Sequence, residues 1–429
     1  MRRGVFLLVL AIGISPRFPL PLEIPGRQFE LRFEDVILVG LVLNWLLTLR
    51  PRIHATPLFR AIAFYTVIIT LTTALGLITG TVTPSRSLPF LFKELEYFLI
   101  FFLVANWVRT HAQLQTITRV ILAVAAANAV WAAVQTFLGT RQTLFVMLAD
   151  YLPLDVSQGP MVLGSYGPGL IGEMSPFSTG GFFMLVLLLT FGFLLFAATG
   201  WRKKLLAGLG VTFAICLFLT ESRANVISAL IGVGLLALLA GRASLGKIRL
   251  VLLLAAVSVG ALVGMAKTGI YDVSDRWLLE NIQYSATQRE EDIWWPLLAA
   301  GAGHPLFGFG KGALDFAPGL GSTEAHNQYL RVFVESGVVG LAAFLGLLGS
   351  IALLSARAYR NARFGITRAV STTALAATVA LVISAFYGDV FVPVVVNELW
   401  WVLVALAVVA QRIEGQLAHP REVGAPQLA

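Results

Sequence analysis

The sequence has little charge and almost no cysteine. Only 13% of its 429 residues are charged, whereas a soluble domain carries roughly 25% charged residues. Hydrophobic residues make up 57% of the chain, and its mean hydropathy is +0.82. Cys216 is the one cysteine, which excludes a disulfide bond within the chain. The composition therefore excludes an ordinary soluble protein and indicates an integral membrane protein.

Long apolar runs predict an all-α membrane protein with about twelve transmembrane helices, folded as one polytopic domain over residues 1–429. A spanning helix needs about 17–25 apolar residues. Such runs lie near residues 4–18, 34–49, 61–80, 88–107, 115–138, 177–199, 204–220, 224–241, 247–266, 330–354, 369–390 and 396–412. The first run is the weakest, and the sequence leaves open whether it crosses the membrane. Its clean apolar part covers only residues 5–14, and prolines follow it instead of the small residues of a signal-peptide cleavage site.

The positive charges predict the topology. The net charge of +8 would direct attention to nucleic acid in a soluble protein, but here we expect no nucleic-acid partner. If the N-terminus is cytoplasmic and each helix crosses once, 19 of the 31 Lys and Arg residues lie on the inner side. Most of the inner segments are short, which is where the positive-inside rule applies best. Both termini are then predicted to be cytoplasmic.

Two outer segments are too long to be turns. One covers residues 139–176, and the other covers residues 267–329 between the ninth and tenth predicted helices. Long loops often carry function. The second is rich in Trp, Leu, Phe and Gly, unlike a disordered connector. We expect it to fold against the outer face as short amphipathic helices and to carry the functional site.

Charged residues are nearly absent from the helix interiors, which disfavours an ion-coupled transporter. The exceptions fall near outer helix ends, as a site facing outward requires: Lys93, Glu94, Glu96, Glu335, Asp389 and Glu398.

Histidine and arginine supply the candidate chemistry of the outer side. His304 and His326 are the two histidines predicted there, and His304 precedes a Gly-rich turn. His326 immediately precedes a long apolar helix, where a histidine is a candidate base. Arg223 lies between two predicted spanning helices, and Arg289 lies in the large outer segment, with Arg276 a weaker third candidate. Guanidinium groups bind phosphate oxygens in a bidentate manner, although a membrane-interface anchor or a surface ion pair would also explain each arginine.

The order of these motifs resembles the O-antigen ligase and polymerase superfamily of bacterial envelope glycosyltransferases. The resemblance is carried by Ser222-Arg223 at a helix start and by Arg289 followed by Trp294 or Trp295. It continues in the segments His304-Pro305-Leu306-Phe307-Gly308-Phe309-Gly310, His326-Asn327-Gln328-Tyr329-Leu330 and Glu335-Ser336-Gly337-Val338-Val339-Gly340. It covers residues 220–340 at the level of motifs and the remaining chain only in architecture.

The resemblance implies an inverting, metal-independent enzyme of the membrane fold type called GT-C, with no cofactor. Its donor would be a glycan on undecaprenyl diphosphate, and its acceptor a sugar hydroxyl of lipid A–core. By the resemblance, His326 would be the catalytic base, Arg223 and Arg289 would hold the donor diphosphate, and Gly308 and Gly310 would be structural. The enzyme would lie in the bacterial inner membrane among membrane lipids, with its active site facing the periplasm.

Two other functions stay open at this point. A polymerase, which joins lipid-linked repeats of an O-antigen or exopolysaccharide, differs from a ligase mainly in its acceptor. The second sizeable outer segment, residues 139–176, is a feature of polymerases. A multi-helix transporter is the alternative from a different class. The identity of the glycan and the oligomeric state are not predictable from this sequence.

Overall fold

A computed structural model describes residues 2–24, 27–47, 56–139, 142–149, 169–172, 175–241, 245–267, 279–314 and 324–418. Fifteen α-helices occur in this part of the chain. They are α1 (Arg2–Ile12), α2 (Phe33–Leu47), α3 (Phe59–Thr79), α4 (Pro84–Trp107), α5 (His111–Leu138), α6 (Leu144–Ala149), α7 (Pro176–Phe196), α8 (Gly200–Leu219), α9 (Arg223–Leu239), α10 (Leu245–Lys267), α11 (Leu279–Arg289), α12 (Trp295–Ala302), α13 (Gln328–Asn361), α14 (Gly365–Ser384) and α15 (Val394–Ala418).

Each of the twelve predicted apolar runs coincides with one of these helices. Six helices are long and apolar enough to cross a membrane. They are Phe59–Thr79, His111–Leu138, Phe177–Phe196, Gln328–Asn361, Gly365–Ser384 and Val394–Gln416. Among the described residues, α1 and α9 contain shorter apolar helices. The chain is therefore a helical membrane protein, and the count of twelve crossings stays a prediction.

The predicted end of the first apolar run, at residue 18, was wrong. Helix α1 stops at Ile12, and an antiparallel hairpin of β1 (Arg17–Ile24) and β2 (Arg27–Arg32) follows before α2 begins. The prolines between residues 16 and 21 explain the helix end, because proline lacks the backbone donor that a helix interior requires. The hairpin lies at the outer ends of the helices in the predicted topology.

The centre of the bundle is built from α7 and α15, whose apolar stretches are the most completely buried of the candidate spans. Helix α15 packs against α4, α7, α13 and α14. The rings of Trp400 and Trp401 pack against each other at an angle of 54°, with centroids 4.9 Å apart. This core holds the predicted outer ends of α4, α13 and α15 side by side. Charged side chains lie at these three helix ends.

The outer segment before α13 folds as short helices, as its composition predicted. Helix α11 leads through one π-helical turn, Glu290–Trp294, into α12. Single π-turns are rare and often occur at functional sites. Residues 268–278 and 315–323 of this segment lie outside the described residues.

Helix α13 is broken near its outer end, where a Gly-rich segment packs along it. Gly337 has φ 65° and ψ −169°, which is not helical. The backbone nitrogens of Phe309 and Gly310 donate to the carbonyls of Val334 and Glu335 at 2.9 and 2.8 Å. A Cβ at Gly308, whose φ is +65°, would lie 2.5 Å from the backbone nitrogen of Ser336. The packing supports the structural role expected for Gly308 and Gly310.

Candidate active site at the outer end of helix α13

His326 lies where the outer segment meets α13, in a strained backbone conformation. Its φ is +48°, and Glu221 is the other non-glycine residue with positive φ in the described chain. Non-glycine residues adopt this region at a cost, and such residues cluster at functional sites. The next residue, Asn327, caps α13 by accepting from the backbone nitrogens of Tyr329 and Leu330 at 3.0 and 3.1 Å. The cap fixes the start of the helix directly after His326.

The residue before His326 is held from both sides. Ala325 is fully buried. Its N–H donates to Oδ2 of Asp389 at 3.0 Å, and its carbonyl accepts from Nε1 of Trp294 at 3.1 Å. These two contacts, together with the Asn327 cap, define the chain path that gives His326 its unusual conformation.

Arg223 and Arg289 come together from distant parts of the sequence. Arg223 is the first residue of α9, and its Nη2 donates to Oγ of Ser285 on α11 at 3.2 Å. Arg289 ends α11, and its Nη1 donates to the carbonyl of Tyr387 at 3.4 Å. The pKa of Arg289 is lowered by burial and then by the positive charge of Arg223. Two partly buried guanidinium groups thus lie near each other, on the side that the topology predicts to be outer.

The same region sets the protonation of His326. Burial lowers the pKa of its imidazole, and the positive charge of Arg289 lowers it further. The carboxylates of Glu324 and Asp389 oppose this shift without reversing it, and Oε2 of Glu324 lies 3.6 Å from Nδ1. Because the charged form is disfavoured, the imidazole is neutral at neutral pH and free to accept a proton.

The remaining two candidate residues of the sequence analysis are Arg276 and His304. Arg276 lies outside the described residues, so its role stays a prediction. The ring of His304 packs on Phe309 with centroids 4.4 Å apart. The carbonyl of His304 accepts from the backbone nitrogen of Gly308 at 2.9 Å, which closes the tight turn expected there.

A buried charge network continues inward from the carboxylate that holds Ala325. Nη1 of Arg331 donates to Oδ2 of Asp389, and its Nε donates to Oε1 of Glu335, both at 3.2 Å. Nζ of Lys311 lies 3.3 Å from Glu335 and 2.5 Å from Glu94. Through its two ion pairs, Arg331 connects Asp389, which holds the residue before His326, to Glu335 and the rest of this network.

Three carboxylates that lie far apart in the sequence form a cluster that spacing did not predict. Ligand oxygens of Asp35, Glu96 and Glu398 lie within 4.8 Å of one another and could hold a metal ion. The ammonium of Lys93, however, lies 2.7 Å from Asp35, 2.9 Å from Glu96 and 3.9 Å from Glu398. Since this cation already lies among the three carboxylates and offsets part of their charge, the residues fit a structural ion-pair network better than a metal site.

The family comparison matches this part of the molecule. Residues 208–345 match the model of the family described as Wzy_C, O-antigen ligase, which covers about a third of the chain. The matched segment is similar to the O-antigen ligase superfamily. Members of this family are glycosyltransferase-like enzymes of O-antigen ligation or polymerisation. No curated protein matches the chain at a significant level.

The O-antigen ligase segment contains the described candidate residues. It runs from within α8 to within α13 and includes Arg223, Arg289 and His326. Sequence reasoning selected these three residues but did not select Asp389, which lies beyond the matched segment and holds the residue before His326. A carboxylate at the outer end of an apolar helix was the available signal, since such a charge is costly without a partner.

Proposed function

We propose that the protein is an O-antigen ligase-like glycosyltransferase. It moves a glycan from undecaprenyl diphosphate to a sugar hydroxyl of lipid A–core, with inversion and without a metal ion. The observation that carries the proposal is the grouping of two guanidinium groups with an imidazole that burial keeps neutral. The O-antigen ligase match over the same residues supports it.

The two arginines suit the donor. A diphosphate is a good leaving group once its charge is neutralised, and guanidinium groups bind its oxygens in a bidentate manner. The side chains of Arg223 and Arg289 are both partly exposed, so a ligand can reach them. The hydrogen bonds to Ser285 and Tyr387 keep them in place before the donor arrives. Such preorganised charge stabilises the negative charge that develops on the leaving diphosphate.

His326 then performs the proton transfer. Its neutral imidazole takes the proton from the acceptor hydroxyl while that oxygen attacks the anomeric carbon of the donor sugar. The bond between the anomeric carbon and the diphosphate oxygen breaks, and undecaprenyl diphosphate leaves with both electrons of that bond. One attack from the face opposite the leaving group gives inversion. Arg223 and Arg289 hold the departing charge.

The predicted topology sets the location of the reaction. The site lies at the predicted outer ends of α9 and α13 and on α11, and we place this side in the periplasm and the protein in the inner membrane. Substrates that carry long lipid tails reach such a site from the membrane plane. Arginines at the outer face would meet the diphosphate at the depth of the lipid headgroups.

The acceptor separates a ligase from a polymerase. The matched family, described as O-antigen ligase, includes enzymes of ligation and of polymerisation, so the acceptor decides between the two. The experiment supplies the purified full-length protein with a lipid-linked glycan and, in parallel, with lipid A–core or a second lipid-linked repeat. Product on lipid A–core supports the ligase, and product only on the second repeat assigns a polymerase. Transfer to neither acceptor would contradict the proposed function.

Arginine variants test the donor site in the same assay. Removal of one charge-stabilising donor commonly slows a reaction by about 100-fold to 1,000-fold, so we expect this loss in Arg223→Ala and in Arg289→Ala. Lysine at either position should rescue poorly because the bidentate fork is lost. Arg360→Ala, at an exposed position near the inner end of α13, is the control and should transfer normally. Full activity in Arg223→Ala would make this residue a membrane anchor only.

A further inference from the structure

A cavity of about 220 Å³ lies between α3, α4, α13 and α15, and residues of the β-hairpin contribute to its lining. Its lining includes the aromatic rings of Tyr65, Tyr97, Phe90, Phe391, Trp400 and Trp401. Charged side chains from the hairpin, from α4 and from α13 complete it. None of the residues assigned above to the donor or to the base lines this cavity.

Most of the cationic side chains of the cavity are paired with carboxylates. Six cationic side chains line it, and five of them lie within hydrogen-bonding distance of a carboxylate. These pairs are Arg17–Glu30 at 2.6 Å, Arg32–Glu34 at 2.6 Å, Lys93–Asp35 at 2.7 Å, Lys311–Glu94 at 2.5 Å and Arg331–Glu335 at 3.2 Å. The sixth cation is Arg86, and of the five carboxylates Glu30, Glu94 and Glu335 line the cavity, whereas Glu34 and Asp35 contact its cations from outside the lining. A cavity that offers paired charges provides many hydrogen bonds but little net attraction for an ion.

This chemistry fits an uncharged sugar. A sugar ring carries hydroxyl groups around its rim and C–H groups on its faces. Carboxylates accept from hydroxyls, while guanidinium, ammonium and amide groups donate to them. The faces of aromatic rings carry partial negative charge and pack well against C–H groups. Pockets for drug-sized ligands measure roughly 300–1,000 Å³, so this smaller cavity has room for about one sugar ring.

The cavity also has a defined relation to His326. Gln328, two residues further along α13, lines it, and so does Arg331. Arg331 donates to Asp389, which accepts from the backbone of Ala325 beside His326. The arginines of the donor site approach His326 from α9 and α11, whereas the cavity lies toward α3, α4 and α15. The donor arginines and the cavity therefore belong to different elements, and the chain around His326 is connected to both.

We propose that this cavity binds an uncharged sugar ring of the acceptor glycan, next to the ring whose hydroxyl is activated. The assignment to the acceptor rests on the proposed function, because only a transferase has an acceptor. The presence of a site for a neutral sugar rests on the cavity alone. The two parts can therefore fail separately.

Binding is measured with the full-length protein in nanodiscs by isothermal titration and saturation-transfer NMR. The probes are neutral methyl hexosides and methyl N-acetylhexosaminides, compared with glucuronate and hexose 6-phosphates. We expect at least one neutral sugar to bind more tightly than any anionic probe. Val392→Trp places a large ring in the cavity and should weaken binding at least about 10-fold. Val36→Trp, at a lipid-facing position that is 55% exposed, is the matched control and should bind normally.

A second variant keeps the test valid if the tryptophan disturbs folding. Arg86 is partly exposed, and Arg86→Met keeps its length while removing its donors, so it should weaken sugar binding about 10-fold. In the transfer assay both variants should raise the KM for the acceptor and leave the KM for the donor and kcat unchanged. His326→Asn should still bind the neutral sugar.

Three results would overturn the inference. They are the absence of binding by every neutral probe, tighter binding of the anionic probes, and unchanged binding in both Val392→Trp and Arg86→Met. If the sugar binds but no glycan is transferred by the wild type, the proposed function and the acceptor assignment fail while the sugar site stands. If transfer occurs and its acceptor KM is unchanged in both variants, the acceptor assignment fails alone.

Discussion

Replacing Glu324 by glutamine should move the acid limb of the pH–activity profile for glycan transfer to lower pH. The base must be neutral, so activity falls as pH drops through the pKa of His326. That pKa is already lowered, chiefly by burial and then by Arg289, whereas the Glu324 carboxylate raises it. Without the carboxylate the imidazolium is less stable. The enzyme should therefore keep its activity to a lower pH than the wild type.

The size of the shift follows from the geometry. The Glu324 oxygen lies 3.6 Å from Nδ1, and two unit charges at this distance attract by about 1.2 kcal/mol in water. This energy corresponds to about 0.8 of a pKa unit. Both side chains are partly exposed, at 33% and 56%, so salt screening reduces the effect. We expect a shift of about 0.3–0.8 pH unit.

The assay is kcat/KM for glycan transfer between about pH 4.5 and 8, since this ratio reports the free enzyme. Glu291→Gln removes an exposed carboxylate of the same outer segment and should leave the profile unchanged. The residual activity of Arg289→Gln should show an acid limb at higher pH, because removing the positive charge of Arg289 stabilises the imidazolium of His326. A limb that stays in place or moves upward in Glu324→Gln would refute His326 as the titrating base.

Three further predictions test the fold and the chemistry. In a background without the native cysteine, a cysteine at Ala286 should label from outside intact cells and one at Asn361 only from inside; labelling from one side would reject the topology. Transfer should survive EDTA, whereas a loss restored by Mg²⁺ or Mn²⁺ would contradict metal-independent transfer. Gly308→Ala should lower the free energy of unfolding by roughly 1–3 kcal/mol, which is measured as a lower melting temperature. Gly349→Ala, whose Cβ meets nothing within 4 Å, should leave the melting temperature unchanged.

Helix positions were predictable from the sequence because long apolar runs leave few alternatives in a membrane. The hairpin at residues 17–32 was not, although the prolines within it marked the end of the first helix. Its pairing depends on contacts between residues up to 15 apart. Periodicity within a short stretch cannot report such pairing.

The candidate site was predictable at the positions whose chemistry is unusual for their location. Arg223 lies between two apolar helices, and His326 precedes a third. Asp389 could be placed on the outer side from its helix end, but its hydrogen bond to Ala325 joins residues 64 apart in the chain. The charge network and the cavity arise where α3, α4, α13 and α15 meet. Only the tertiary structure shows that these four helices are in contact.

Substitution of His326 is the most direct test of the proposed mechanism. Asparagine is the preferred replacement, because it tolerates the left-handed backbone that His326 adopts at φ +48°. We expect His326→Asn to be folded and to bind the lipid-linked donor, with transfer slowed by roughly 100-fold to 10,000-fold, as the loss of a positioned base implies. His304→Ala should retain appreciable transfer per folded molecule. Transfer by His326→Asn at the wild-type rate would contradict the proposed mechanism.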